Sequence, residues 1–408
     1  MEPYLIVFFV AASVTYGATF LVRRNAARWG SLVVPDERMV HEKPTPTLGG
    51  LAMAAGVLAG FGAAFVLTPL SSIVRSTSEI YGVVFATLAM VFTGFIDDMR
   101  DVSAPAKMAG QFLAGILLTV FGATMYYLRI PFLGVIVLGS SFILPLTIFW
   151  VVVLTNALNL IDGLDGLAAG ITAIASGSFF IYSQSLVGSG ALPSNSIGPL
   201  IAIVTAAVAI GFLPHNFHSA RIFMGDTGAL MLGVLMAAST SVVGGRTSDV
   251  SGETFYFYAP VLIPLLILGV PLFDMAFAFF RRAYQRKSFA EADKSHLHHR
   301  LMRLGHGHRR TVIILWLWTL LLCTAVLIPY YVHSLNAEVP GFIAIIALAY
   351  YSIFLPKIRD RFLDRPYPRI SSFIIAIGRP FRRSPGEHSL NRDKKSKVTL
   401  KAGSKVGE

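Results

Sequence analysis

Four side chains, Asn156, Asn159, Asp162 and Asp165, recur at every third position where the apolar run 142–154 passes into TNALNLIDGLDGLAAG. While the backbone stays helical, that spacing holds two amides and two carboxylates on one slowly drifting face. Gly163 and Gly166 then let the chain turn. Polar groups so close to a membrane-length apolar stretch are costly unless they face a polar cavity, a partner or a ligand. The stretch therefore reads as a site. The plainer alternative is a capped helix end with Asp162 and Asp165 as loop residues.

Other chemistry-bearing groups are spread along the chain. In GFIDDMRD, Asp97 and Asp98 are adjacent and Asp101 lies one turn on. Carboxylates packed this closely repel one another unless they share a cation or a proton, so Mg²⁺ or a basic substrate contact is expected there. Lys107 is placed to balance them or to touch a phosphate; a solvated charge cluster beside the membrane is the alternative. In PHNFHSARIFMGDTGAL, Asp226 stands where a helix starts and reads both as an N-cap and as a metal ligand, while Asn216, Phe223 and Arg221 add an amide, a stacking surface and a cation. His296, His298, His299 and Arg300 crowd into DKSHLHHRL, with His306 and His308 downstream. Imidazoles suggest zinc, but the HExxH spacing of a metalloprotease is absent, and His and Arg donors suit an anionic phosphate at least as well. In PDERMVHEKPTPTLGG, Pro44 and Pro46 hold the chain extended, and His41, Lys43, Thr45 and Thr47 offer donors for a phosphate or a nucleobase; an ordinary basic loop is the alternative.

Apolar helices must position these groups. Of 408 residues 54% are hydrophobic and the mean hydropathy is +0.65, more apolar sequence than a water-soluble core can hide. The fold class is thus an all-α polytopic membrane protein. Windows of about 20 residues give about eleven spans: 4–21, 48–67, 80–96, 108–126, 142–160, 167–186, 197–213, 227–243, 258–280, 311–332 and 341–355. Glu2 precedes the first run and Arg23, Arg24 and Arg28 follow it, the reverse of a cleavable signal, so it stays as an anchor with its N-terminus outside. With alternating spans, only Arg75, Arg129 and Arg246 among 34 Lys and Arg fall in outer loops, which obeys the positive-inside rule and puts the C-terminus in the cytoplasm. The +12 net charge then reflects topology and attraction to anionic lipid, not nucleic-acid binding.

Segment 129–141, RIPFLGVIVLGSS, reads as a small outer β-hairpin, 1–356 as the membrane domain and 357–408 as a basic, disordered tail. The lone Cys323 excludes an internal disulfide. Asp274 lies seven residues before Arg281, about 10 Å up its helix, where a carboxylate needs a partner or a water-filled pocket. A proton-coupled transporter built on Asp274 and Asp162 is the reading from another class. It calls for carboxylates in mid-span, whereas most here sit at span ends, and no internal repeat is evident.

Under the alternating topology the clusters meet at one inner face, carried by loops 23–47, 97–107, 160–166, 214–226 and 281–310. Carboxylates for a hard cation beside His, Lys and Arg for phosphate oxygens form the set that phosphoryl transfer from a nucleotide requires. A membrane location makes sense if the acceptor is a lipid.

The motifs HEKPTPTLGG, GFIDDMRD, NALNLIDGLDGLAAG, GFLPHNFHSARIFMGDTGAL and DKSHLHHRL, in that order over 35–311, closely resemble those of the polyprenyl-phosphate N-acetylhexosamine-1-phosphate transferases. That family includes the bacterial phospho-MurNAc-pentapeptide translocase and the eukaryotic dolichyl-phosphate GlcNAc-phosphotransferase. DDMRD, where the translocase branch has a Lys after its Asp pair, and the HLHHRL loop look like the branch that transfers GlcNAc-1-phosphate, which primes O-antigen, teichoic acid or arabinogalactan-linker synthesis. RLGHGHRR is similar to its actinobacterial members.

The resemblance implies attack by a polyprenyl phosphate on a UDP-sugar at the cytoplasmic face of a bacterial inner membrane, giving lipid-diphosphate-sugar and UMP. It implies Asn159 and Asp226 as ligands of Mg²⁺, with Mn²⁺ as a substitute, and Asp165 as a uracil contact. Asp97 is implied as the base that keeps the lipid phosphate ionised, and Asp98 as its support. Lys43, Lys107, His298, His299 and Arg300 would bind diphosphate or sugar, with Thr45, Asn156, Asp162, Phe223 and His296 lining the substrate site. Another UDP-N-acetylhexosamine or UDP-MurNAc-pentapeptide is the alternative donor. Homodimers occur in the family.

Overall fold

The computed structural model describes residues 2–26, 28, 32–33, 45–130, 134–246, 269–285, 301–302, 306–331, 343 and 346–350, all within the unit Met1–Ile358. Lys43, the cluster His296, His298, His299 and Arg300, and the tail 357–408 lie outside the described residues.

Among the described residues the chain is mostly helical. Helix α1 (Glu2–Ala26) is followed by two short strands, β1 (Leu32–Val33) and β2 (Thr45–Pro46), then α2 (Gly49–Val66), the short α3 (Leu70–Arg75), α4 (Glu79–Arg100) and α5 (Ala104–Val120). A hairpin of β3 (Tyr127–Ile130) and β4 (Gly134–Val137) leads to α6 (Ser140–Ile161), α7 (Leu167–Gly188), α8 (Gly198–Asn216) and α9 (Gly225–Gly244). Two further helices, α10 (Gly269–Gln285) and α11 (His308–Tyr331), complete the described set. Six helices, α1, α2, α4, α6, α8 and α9, are long and apolar enough to cross a membrane, the architecture of a multi-pass membrane protein. The span expected over 258–280 is described only from Gly269, and that over 341–355 only at 343 and 346–350.

Several boundaries differ from expectation: α1 runs to Ala26, past the expected 21, and α4 runs to Arg100, so that Asp97 and Asp98, expected in a loop, lie on its last turn. The span expected to reach Tyr126 stops at Val120, because Gly122 at φ +85° breaks the helix. The hairpin pairs Tyr127 with Val137 and Ile130 with Gly134, so Ser140 and Ser141, expected within it, instead open α6.

Helix α9 is the centre of the bundle. Every residue from 227 to 244 is buried, and α2, α4, α6, α7 and α8 all pack on it. Outside them, α1 lies on α2 and α8, α5 between α4 and α6, α11 on α7, and α10 on α6 and α11. Hydroxyls on these apolar helices are satisfied by the carbonyl one turn back: Thr87 donates to Val83 O at 2.7 Å, Thr155 to Val151 O at 2.7 Å and Thr205 to Ile201 O at 2.7 Å. Phe9, Phe92, Phe149 and Ile181 point outward, as lipid-facing side chains do.

The approach to α9 depends on the absence of side chains. A Cβ on Gly50 of α2 would run into the backbone of Thr227 and Gly228, and one on Gly94 of α4 into the backbone of Asp226 and Thr227. These are backbone collisions that no rotamer change relieves. At the other end of the α4–α9 pair, Arg246 bonds Glu79 at 2.5 Å, donates to Gly122 O, and lies 5.0 Å over the Tyr126 ring.

Gly50→Ala or Gly94→Ala is expected to cost about 1–3 kcal/mol and to lower the melting temperature of detergent-purified protein. Gly62→Ala, on a face where an added Cβ meets nothing, should leave melting unchanged or slightly raised; equal effects at all three positions would contradict this packing.

Candidate active site at the head of the central helix

The first N–H groups of a helix have no partner inside it, and the burial of α9 begins at Thr227, within its first turn. Asp98, at the end of α4, supplies the acceptor. Its Oδ1 accepts the Asp226 N–H at 2.9 Å, and its Oδ2 accepts the Thr227 N–H at 3.0 Å and the Thr227 hydroxyl at 2.6 Å. Asp226 is therefore not the cap of its own helix: it lies in the first turn, and the capping carboxylate comes from 128 residues upstream. Gly225, at φ +66°, makes room, since a Cβ there would strike the Asp98 carboxylate and the Thr47 hydroxyl.

The Asp226 side chain is thereby aimed at α5 and α6. Lys107 Nζ, on the first turn of α5, lies 2.6 Å from Asp226 Oδ2 and 2.5 Å from Asp97 Oδ2. Asn159, near the end of α6, donates to the same Asp226 oxygen at 3.3 Å. Asp97 is steadied by the Val102 N–H at 2.7 Å, while Asp101 is exposed and stays out of the group. One ammonium thus bridges two carboxylates from different helices, with an amide beside them and a third carboxylate locked beneath. Asn156, one turn before Asn159, donates to the Oε1 of buried Gln111 at 3.2 Å.

The periodic run does not act as one face. Helix α6 ends at Ile161, so Asp162 and Asp165 are turned away from the helical direction. Asp162 is half-buried; desolvation first, then the charges of Asp226, Asp98 and Asp165, hold its carboxyl well above the ordinary 3.8. Asp165 belongs to a second cluster. Its side chain is withdrawn from solvent, and its Oδ2 accepts the Ala220 N–H at 3.0 Å and lies 3.0 Å from His218 Nδ1. Buried Asn216 ties the same loops, accepting from Gly166 N–H and donating to Ile222 O at 3.0 Å each.

Of the other expected residues, Thr45 is buried in the β2 pairing with β1, and Phe223 is half-buried, its backbone N–H donating to Pro46 O at 2.8 Å and its carbonyl accepting from Gly49 N–H at 2.9 Å. Asp274 is buried in α10. Gln111, Thr227, His218 and the placement of His308 are what sequence reasoning missed. Each partner lies between 45 and 143 residues away, and no local spacing marks them.

The family model described as glycosyl transferase family 4 matches residues 80–244, from α4 through α9, and so takes in Asp97, Asp98, Lys107, Asn159, Asp162, Asp165 and Asp226. The decaprenyl-phosphate N-acetylglucosaminephosphotransferase of Mycobacterium tuberculosis (strain ATCC 25618 / H37Rv) is 38% identical over 327 residues, covering 78% of this chain and 80% of the relative. The phospho-N-acetylmuramoyl-pentapeptide-transferase of Clostridioides difficile (strain 630) is 27% identical over 332 residues, 78% of this chain and 94% of the relative. The undecaprenyl-phosphate alpha-N-acetylglucosaminyl 1-phosphate transferase of Escherichia coli (strain K12) is 26% identical over 376 residues, 90% of this chain and 92% of the relative. With the motif order, the family match and identity at this level over most of both chains, the protein belongs to glycosyl transferase family 4, among its polyprenyl-phosphate N-acetylglucosamine-1-phosphate transferases.

Proposed function

We propose that the chain transfers N-acetylglucosamine 1-phosphate from UDP-N-acetylglucosamine to a polyprenyl phosphate at the cytoplasmic face of a bacterial plasma membrane. The observation that carries this reading is Lys107 shared by Asp97 and Asp226 at the head of α9, inside the stretch matched by the family model. In the reaction an oxygen of the lipid phosphate attacks the β-phosphorus of the donor. The bond from that phosphorus to the bridging oxygen breaks, and UMP leaves with the oxygen.

The residues divide the work by charge. Lys107 is held by two carboxylates and exchanges them for diphosphate oxygens as the donor arrives. Asp97, freed of it, orients the lipid phosphate and keeps it ionised. Asp98 is fully engaged by the head of α9 and acts by fixing where Asp226 points. Asn159 and Asp226 fit Mg²⁺ or Mn²⁺: the donors are oxygens, and the spot beside Asp226 already attracts the Lys107 ammonium. A divalent ion held there supplies positive charge that neutralises the diphosphate. Asp165, beside His218 and Ala220, would contact the uracil at the nucleotide end of the site. Thr45 and Phe223 would line the substrate site, and Lys43, His296, His298, His299 and Arg300 would supply its sugar and diphosphate contacts.

Purified protein given polyprenyl phosphate and Mg²⁺ should release UMP from UDP-GlcNAc, and EDTA should stop it. Release from UDP-GalNAc or UDP-MurNAc-pentapeptide instead would keep the reaction and change the sugar, while no release from any donor by folded protein would refute the activity. Asp226→Ala should lower turnover by at least about 100-fold with little change in melting, whereas Asp98→Ala should lose turnover and also about 1–2 kcal/mol of stability through the cap. Equal melting of the two variants would sever Asp98 from the capping role. For Asp162, a raised folded-state pKa means that the folded protein holds this proton more tightly than the unfolded chain. That stability is present below the ordinary value and is lost as pH rises through the raised one. Asp162→Asn should therefore melt above the parent at neutral pH without divalent ions, the gap closing on acidification; a gap that widens in acid would show the sign to be wrong.

A further inference from the structure

Gln111 takes no part in the charged cluster at the head of α9, yet it is a polar side chain only 1% exposed between two apolar helices. Helix α5, which carries it, packs on α6. The two run antiparallel: Gly115 of α5 has no room for a Cβ against Ile148, Gln111 meets Asn156, and Lys107 and Asn159 share Asp226 Oδ2 at the site itself. The amide pair therefore forms the layer directly beneath the charged one. Close contact at Gly115 already holds α5 to α6, and 3.2 Å is at the long end of the range for an N–H to oxygen bond, so the pair is not needed as an adhesive. Buried polar groups paired in this way specify an arrangement more than they stabilise it.

The arrangement follows from the chain of bonds, because the two ends of an amide are told apart by their partners. Val152 O is a carbonyl and can only accept, so the Asn156 atom 2.7 Å from it is Nδ2. The other hydrogen on that nitrogen goes to Gln111 Oε1 at 3.2 Å. With both N–H groups taken, half-buried Asn156 keeps only its Oδ1, and among the described residues no hydrogen bond reaches that oxygen. We infer that Gln111 is a positioning residue for the transfer: it holds the Asn156 amide so that this wall of the site accepts a hydrogen bond and gives none. An ionised phosphate has no hydrogen to give, which excludes both the lipid phosphate and the diphosphate as the partner of Asn156. UDP-N-acetylglucosamine carries hydroxyls and an acetamido N–H. Its uracil belongs at Asp165, beyond the end of α6, and its diphosphate at Lys107, so the hydrogen that Asn156 accepts is one on the sugar. The inference rests on the transferase reading given above.

The test measures affinity in the full chain in detergent, by calorimetry with Mg²⁺ and no lipid, for UDP-GlcNAc and for UDP, which lacks the sugar. Gln111→Met keeps the length of the side chain and removes the acceptor. It should bind UDP-GlcNAc about 5- to 10-fold more weakly and UDP as the parent does, and in turnover its KM for polyprenyl phosphate should not move. Asn156→Leu should show a comparable loss, and the double variant Gln111→Met, Asn156→Leu should lose no more than Asn156→Leu alone, since Gln111 acts through that amide. With both partners apolar the double variant should melt like the parent, which separates a lost orientation from a misfolded protein. Unchanged UDP-GlcNAc affinity in Gln111→Met, an equal loss of UDP affinity, a raised KM for the lipid, or losses that multiply in the double variant would each overturn the inference. A parent that binds no UDP-GlcNAc and releases no UMP would remove the transferase reading and this inference with it, whereas an active parent beside an unaltered Gln111→Met would remove this inference alone.

Discussion

Helix α9 is enclosed by five other helices along nearly its whole length, and that enclosure creates a problem at its head. Water cannot reach the N–H groups there in the numbers that an exposed helix end would have, and an unmet buried donor costs about 1–3 kcal/mol. Asp98 meets three donors at once, and its negative charge also lies where the helix dipole favours an anion. Much follows from this one attachment. It sets the register of α4 against α9, it fixes the direction of the Asp226 side chain, and it leaves Asp97, one residue earlier, to share Lys107 with Asp226 across the gap to α5.

The same pair of helices is clamped at its far end, where Arg246 after α9 meets Glu79 at the start of α4. Between the clamps the backbones approach so closely that Gly50 and Gly94 have no room for a methyl group. A frame held at both ends and packed backbone to backbone has little freedom, which suits a site whose groups must stay within fractions of an ångström of their working positions. Freedom is kept in the side chains. Lys107 is 28% exposed and is long enough to leave its carboxylates for a phosphate, whereas removing either carboxylate would strand charge at a cost of about 3–5 kcal/mol were the pair fully buried, and less at this partial exposure.

Much of this was legible in the sequence. Hydropathy located the helices that are described to within a few residues at most ends, since a run of apolar residues long enough to span a bilayer has no other use in a chain this size. Adjacent Asp97 and Asp98, and the polar residues after 154, stood out because charge beside an apolar run must be explained. What spacing could not reveal was the division of labour. Two neighbouring aspartates look equivalent on paper, yet Asp98 is consumed by a helix 128 residues away and Asp97 is not. Asn159 and Asp165 look like members of one face, yet the helix ends between them and sends Asp165 to His218. Gln111 and His308 carry no local signal, because their surroundings arise only when distant helices meet.

The position of Asp162 links the two halves of the site. Its carboxyl feels Asp226 and Asp98 on one side and Asp165 on the other, so it sits between the cluster at the head of α9 and the cluster with the two histidines. Burial and these neighbouring charges favour the protonated form of Asp162, and positive charge arriving with a ligand would relieve the same repulsion. In the proposed reaction, a donor diphosphate carrying a divalent ion would bring that positive charge. These groups lie at the ends of membrane-length helices, and in the proposed reaction a lipid headgroup and a soluble donor would meet there without either crossing hydrocarbon.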